Sequence, residues 1–309
     1  MTAVHVGTFE PGSVGWHAAR ARGIGGSEIS AVLGLSPFES RFSLWHRKGG
    51  AIGPVELTDV MEWGTRLEGA VIRKWADEHP EHNVLHQPGT YARDDWMIAN
   101  PDAIVSLAGH SSIDEEVLEV KTSPFGDGWG DAGTDDVPVH VRIQTLWYLG
   151  VLGLQVGHIA VLIGGHDYRE YRIEFDADEF QLLADAGAEF MASLERNERP
   201  DIDEHSATYQ AIRELHPDID PLDVELTDET ALRYLIARDH LKRATANEQH
   251  ARSLVADEMG TAQRATWFHD GQLWTLASRQ ARGDGTPFVK VGRRLPDLNS
   301  TTTREDTAA

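Results

Sequence analysis

The 309-residue chain contains no cysteine. That excludes disulfides, thiolate zinc sites and cysteine-held iron–sulfur clusters. It has no apolar run of the roughly 18 residues that a membrane-crossing helix needs. The opening MTAVHVGTFEPGSVG lacks the basic start and apolar core of a signal peptide. A cytoplasmic protein without membrane contact is therefore expected. Positive charge is also scarce: 28 Lys and Arg face 50 Asp and Glu, for a net charge of −22. Spread evenly, that balance would argue against a nucleic-acid partner. It is not spread evenly. Residues 14–50 carry a net +3 and residues 260–296 a net +4. Two basic segments on an acidic body can guide a polyanion while the body repels it elsewhere. Histidine is plentiful, at 15, but forms no zinc signature. His79, His82 and His86 surround Pro80 in what reads as a polar loop rather than a metal site.

Apolar spacing and turn residues divide the chain. Residues 1–13 read as a flexible N-terminus. Ser27 is expected to cap a short helix that Gly34 ends, and a second short helix fits FSLWHRKG. Residues 59–79 give a longer helix whose apolar arc holds Met61, Leu67, Val71, Ile72 and Trp75. Glu68 falls inside that arc, with Gly64 one turn before it. Strands are expected at 90–93, 96–99, 102–107, 115–121, 157–163 and 168–175, with helices at 138–152 and about 177–197. This organisation predicts a first domain over 14–200, an extension over 201–296 and a disordered tail over 297–309. The extension reads as a short helix near 207–215, a long polar helix over 228–258, and a basic hairpin around Asp270 and Gly271. FVKVGRR supplies a further strand.

Chemistry concentrates in few places. In EEVLEVKTSP, residues 115–124, Glu119 and Lys121 share one strand face, and Leu118 and Val120 share the other. Asp102, in IANPDAIV, opens the preceding strand. An Asp, a loop and then E-x-K on the next strand is the PD-(D/E)xK nuclease pattern. Mg²⁺ wants hard oxygen ligands and keeps several waters. Asp102, Glu119 and the Val120 carbonyl can supply such oxygens. A bound metal acidifies a water and neutralises charge at phosphorus. A lysine beside it orients the water or stabilises developing charge, and lysine is informative in a chain with five Lys against 23 Arg. Glu68 inside an apolar arc is costly unless paired or metal-bound. Its alternatives are a second metal or metal-bound water, or an arginine partner. Gln144, on HVRIQTLWYLG, points inward with Val141, Tyr148 and Val151. Its amide either holds a water or phosphate oxygen or is satisfied by backbone. RARGIGGSEIS fits neither a Walker A loop nor a dinucleotide fingerprint. With Ser27 and Arg20 it reads as either a phosphate pocket or a tight turn.

In order, GWHAARARGIGGSEISAVLGLSPF, MEWGTRLEGAVIRKW, NPDAI, LEVKTS and HVRIQTLWYLGVLG resemble the YqaJ-like viral recombinase family. That family is related to phage lambda exonuclease within the PD-(D/E)xK superfamily. The resemblance spans about residues 14–200. It implies an α/β (α+β) restriction-endonuclease-like core, a central mixed sheet flanked by helices, here with a C-terminal helix and β-hairpin extension. It further implies Asp102 and Glu119 as metal ligands, Lys121 as the catalytic lysine, and Glu68 and Gln144 as assistants at the metal and water. Arg20 and Ser27 match positions that grip a terminal 5′-phosphate. The implied activity is 5′-to-3′ exonuclease action on linear duplex DNA, with Mg²⁺ and Mn²⁺ as its substitute, leaving 3′ strands for a single-strand annealing protein. A homotrimer in a bacterial cell, phage- or prophage-encoded, goes with it. Arg142 departs from relatives that carry Gln there. The alternatives are a restriction-like endonuclease and a non-catalytic DNA-end-binding scaffold. A Cas4-like iron–sulfur nuclease is excluded by the missing cysteines. Alanine at Asp102, Glu119 or Lys121 is expected to abolish cleavage while leaving folding intact.

Overall fold

The computed structural model of the protein describes residues 3–10, 12–109, 115–292 and 295–296. The expected disordered tail lies outside them, as do Arg293 and Arg294 of the second basic segment. The chain divides into two compact units, Met1–Ile219 and Asp220–Ala309. In chain order the first runs β1 (Val4–Gly7), α1 (Val14–Ala21), β2 (Ile24–Gly25), α2 (Gly26–Val32), α3 (Arg41–Lys48) and α4 (Asp59–Glu78). It continues with β3 (His82–His86), β4 (Thr90–Arg93), β5 (Met97–Ala99), β6 (Ala103–Leu107), β7 (Glu115–Ser123) and α5 (Val139–Leu152). It closes with β8 (Val156–Ile163), β9 (Asp167–Glu174), α6 (Ala177–Glu195) and α7 (Ser206–Leu215). The second unit holds α8 (Asp228–Met259), β10 (Arg264–His269), β11 (Gln272–Gln280) and β12 (Phe288–Val291).

A five-stranded sheet in the order β3-β6-β7-β8-β9 carries the first unit. The β7–β8 pair is parallel and the other neighbours are antiparallel. The parallel pair needs a crossover, and α5 supplies it. Period-two alternation builds both faces of the sheet. Leu118, Val120 and Ala160 pack with Val71, Ile72 and Trp75 of α4. Ile159, Val161 and Ile163 turn the other way and pack with Val141 of α5. The long apolar run of α5 is buried from Ile143 to Val151, as expected of a helix covered on most sides. The mixed sheet between helices is thus as expected from the sequence. A second sheet, β1-β4-β5-β2, flanks it.

Five features differ from the sequence reading. The N-terminus is not simply loose, because Val4 to Gly7 pair with β4 and His5 meets Tyr91 edge-on. α1 forms after Ser13, whose Oγ accepts the Trp16 N–H. The loop assigned to His79–His86 contains β3, an edge strand paired residue by residue with β6. Gly25, not Ser27, caps α2. The Glu28 carboxylate reaches back to the Gly25 N–H at 2.7 Å. Finally, α7 belongs to the first unit, not the extension that was expected to begin at 201. Ala211, Ile212 and Leu215 pack on Phe42 and Ile52, and Thr208 Oγ1 bonds Ser40 Oγ at 2.6 Å. The polar stretch PDIDEH is a connection inside a domain, not a boundary.

Candidate functional site

The site forms where β7 outruns β6. Pairing with β6 reaches Ala103 opposite Leu118, while pairing with β8 continues to Ser123. Pro101 precedes β6 and has no N–H with which to extend the ladder. The Val120 N–H is left facing an empty strand position, and Asp102 Oδ2 accepts it at 2.7 Å. In a strand the N–H and C=O of one residue project to the same side. The Val120 carbonyl therefore points toward the same gap as Asp102.

Glu119 lies on the α5 face of β7 and is 1% exposed. Its Oε1 accepts from Lys121 Nζ at 2.5 Å and from Gln144 Nε2 at 2.6 Å. The Gln144 carbonyl in turn accepts from Lys121 Nζ at 3.1 Å, and its amide also donates to Tyr148 Oη at 3.0 Å. Gln144 is thus satisfied by side chains of β7 and by Tyr148 rather than by backbone. Glu119 Oε2 is buried and has no hydrogen-bond partner among the described residues. Leaving a carboxylate oxygen so is costly unless something else fills the position.

Burial, then the Glu119 charge, holds the Asp102 carboxyl well above the usual carboxylate range. Burial raises Glu119 too, against the pull of Lys121. For Lys121, burial alone would lower the pKa. The charges of Glu119 and Asp102 outweigh it and the net shift is upward. The ammonium therefore stays charged.

Glu68 projects from α4 into the same cleft, but its partner is not the arginine considered above. His86 Nε2 lies 2.8 Å from Glu68 Oε1. The charge of Glu68 still reaches Asp102, Glu119 and Lys121. Met61, assigned to the apolar arc, is exposed at the mouth of the cleft instead. Arg20 Nη2 donates to Ser27 Oγ at 2.8 Å, and its guanidinium sits 4.6 Å from the Trp16 ring centroid. Glu28 stands 3.6 Å from Arg20 and 2.9 Å from Lys48 Nζ. Burial opposes its charge, yet Lys48 and Arg20 hold its carboxyl below the usual range. All seven expected side chains, with Val120, line one cleft of about 470 Å³. Arg142 is directed elsewhere, to Glu179 at 3.0 Å and Asp135 at 3.6 Å.

Among the described residues no three His, Asp or Glu side chains are grouped to hold a metal by themselves. Of the three loop histidines, His79 and His82 both border Trp75, while His86 turns to Glu68. The donor set in the cleft nonetheless fits a hard cation. Mg²⁺ commonly takes one or two carboxylates, with waters and substrate phosphate completing its shell. Asp102, Glu119 with its orphaned Oε2, and the Val120 carbonyl are donors of that kind. His86 as the partner of Glu68, Trp16 and the Glu28–Lys48 pair were not foreseen from sequence. Their contacts cross 18 or more residues of chain, except for Trp16, which sits one helical turn before Arg20.

A mixed sheet with Asp102 just before one strand and Glu119 and Lys121 on the next fits the restriction-endonuclease-like PD-(D/E)xK core expected from the sequence. Residues 15–155 match the model of the YqaJ-like viral recombinase domain. The chain is 25% identical over 271 residues to the uncharacterized protein YqaJ of Bacillus subtilis, across 80% of this chain and 78% of that one. It is 27% identical over 134 residues to protein D345L of African swine fever virus, across 42% of this chain and 37% of that one. Among solved structures it is similar to an alkaline exonuclease from Laribacter hongkongensis. The TM-score there is 0.47 and the identity 19%, over 60% of this chain and 94% of the other.

Proposed function

We propose that the protein is a Mg²⁺-dependent DNA exonuclease that degrades linear duplex from its ends, 5′ to 3′, and leaves 3′ strands for an annealing partner. The observation that carries this reading is the Asp102–Glu119–Lys121–Gln144 cluster in one cleft, with a buried carboxylate oxygen of Glu119 that has no hydrogen-bond partner among the described residues. The match of residues 15–155 to the recombinase domain model agrees with it. Asp102, Glu119 and the Val120 carbonyl would hold the cation, with Glu68 acting on it at longer range or through water. Mg²⁺ bound there lowers the pKa of a water and neutralises charge that builds at phosphorus.

The remaining work falls to side chains of this chain. Lys121 donates to Glu119 at the cleft, and its role would be to fix the attacking water and meet developing negative charge. Gln144 holds Glu119 and Lys121 in register, and its own amide is fixed by Tyr148. Arg20 and Ser27, on the wall of the same cleft, would grip a terminal 5′-phosphate, with Trp16 orienting the guanidinium.

Digestion of duplexes labelled at either end, with 5′-phosphate or 5′-hydroxyl termini, tests this in Mg²⁺ and in EDTA. Loss of the 5′ label first, only with metal, is expected. Arg20→Ala should cut the preference for phosphorylated ends about tenfold or more. An unchanged preference removes Arg20 from the pocket. Cutting of closed circles would favour the endonuclease reading, and binding without turnover in Mg²⁺ and Mn²⁺ the scaffold reading.

A further inference from the structure

The second unit carries a binding face of its own. In antiparallel neighbours, directly paired residues share a face. The register therefore aligns four rows on one side of the small sheet: Phe268 with Leu273, Thr266 with Thr275, Arg264 with Ser278 and Lys290, and Gln280 with Phe288. A bulge between Ala265 and Thr266 absorbs the extra β11 residue and keeps the rows together. The opposite face pairs Ala265 with Ala277. There Ala277 is buried, as is Met259 at the end of α8, which contacts β10 and β12. The rows themselves stay open. Phe268 is 68% exposed, Leu273 64% and Phe288 42%.

The composition of this face names its ligand class. Aromatic rings stand at its two ends, with the cations Arg264 and Lys290 between them. The Arg282 guanidinium lies 5.8 Å from the Phe288 ring centroid. A cavity of about 510 Å³ opens along the Leu273, Thr275, Ser278, Gln280 and Lys290 positions. A protein-binding patch concentrates apolar groups and sheds lysine from its centre. Here rings and cations interleave, in a segment of net charge +4 within a chain of −22. Rings stack on unpaired bases and cations track phosphates. A duplex hides its base faces, so the rings would be idle against it.

We propose that this open face of the β10–β11–β12 sheet binds single-stranded DNA, with bases stacked on Phe268 and Phe288 and phosphates on Arg264, Arg282 and Lys290. The proposal rests on the nuclease reading only for the origin of the strand, because resection of a duplex leaves one. Binding itself needs no catalysis.

The test is fluorescence anisotropy with a labelled 20-nucleotide oligothymidylate and the full chain in EDTA. Phe268→Ala with Phe288→Ala should raise Kd about tenfold or more. The Phe268→Trp, Phe288→Trp pair should bind as tightly as wild type or more so, a result that misfolding cannot produce. Arg264→Ala with Lys290→Ala should flatten the slope of log Kd against log salt by about 1.4, near 0.7 per lost phosphate contact. Unchanged Kd and salt slope in these variants overturn the proposal. So does tighter binding of a blunt duplex through the same residues, or preference for an acidic protein over the strand. Glu119→Gln should bind the strand like wild type. A protein that cleaves but shows no sheet-dependent strand binding sinks this proposal alone. One that binds through the sheet but never cleaves sinks the nuclease reading alone.

Discussion

Asp102 and Lys121 both border Glu119, yet the fold treats them oppositely. Burial and the neighbouring Glu119 charge push the Asp102 carboxyl well up, so an ionised Asp102 costs stability when no cation is bound. Asn keeps an oxygen that can accept the Val120 N–H. Asp102→Asn should therefore raise the urea midpoint in EDTA at pH 8, while cutting cleavage at least about a hundredfold. It should also remove the stabilisation that Mg²⁺ confers, about 2.7 kcal/mol at a hundred times the Kd. A lowered midpoint would show that Asp102 is held as a compensated anion. Lys121 is the reverse case. It pairs a carboxylate that is 1% exposed, and its loss leaves that charge buried. Lys121→Ala should lose roughly 3 kcal/mol along with cleavage, read from the same urea titration. The sequence reading expected intact folding for alanine at either position. The sign of each effect depends on partners that only folding brings together.

Helix contacts around α5 set the next scale. At Gly150 an added Cβ would lie 2.1 Å from the Phe180 ring, and at Gly26 2.5 Å from the Tyr148 ring. Alanine in a helix interior normally gains close to 1 kcal/mol over glycine. Here overpacking reverses the sign, and Gly150→Ala should cost about 1–3 kcal/mol by chemical denaturation. Gly26→Ala should act on function as well, because Tyr148 fixes Gln144 and hence Glu119. On the other face of the sheet, His79, His82 and His158 surround buried Trp75. Burial depresses the His158 pKa although Glu116, 2.7 Å away, pulls it up, and His79 and His82 depress it further. A depressed histidine pKa means that its contribution is full above the ordinary value of 6.5. It fades as pH falls through the lower folded value. The urea midpoint should drop between pH 6.5 and 5, and His158→Gln should flatten that drop. An equal slope in both proteins would place the acid sensitivity elsewhere.

At the scale of the whole molecule, the division at Ile219 is the testable claim. A chain ended at Ile219 keeps α7 on Phe42 and Ile52 and should unfold cooperatively and keep any cleavage of short duplexes. A chain ended at Pro200 exposes that apolar face and should lose stability by about 2 kcal/mol or more, on the scale of burying one or two large side chains. Equal denaturation midpoints for the two chains would return the boundary to the sequence estimate. Elements with an apolar pattern or a cap residue were legible: α4, α6, α8 and strands β6 to β9 lie within a few residues of expectation. β1, β3 and α1 were not: β1 and β3 are edge strands, and β3 is rich in histidine. Their formation follows from edges and surfaces supplied by distant segments.

By itself, the sequence determined which side chains could do chemistry. Strand alternation put Glu119 and Lys121 on one face, and helix geometry turned Glu68 and Gln144 inward, because local backbone periods fix side-chain direction. Only the tertiary structure decided their partners. The early end of β6 frees the Val120 backbone, Gln144 crosses 25 residues to Glu119, and His86 rather than arginine meets Glu68. The charge states of Asp102 and Lys121 were decided there too. Burial and Coulomb interaction depend on distance in space, which residue spacing along the chain does not specify.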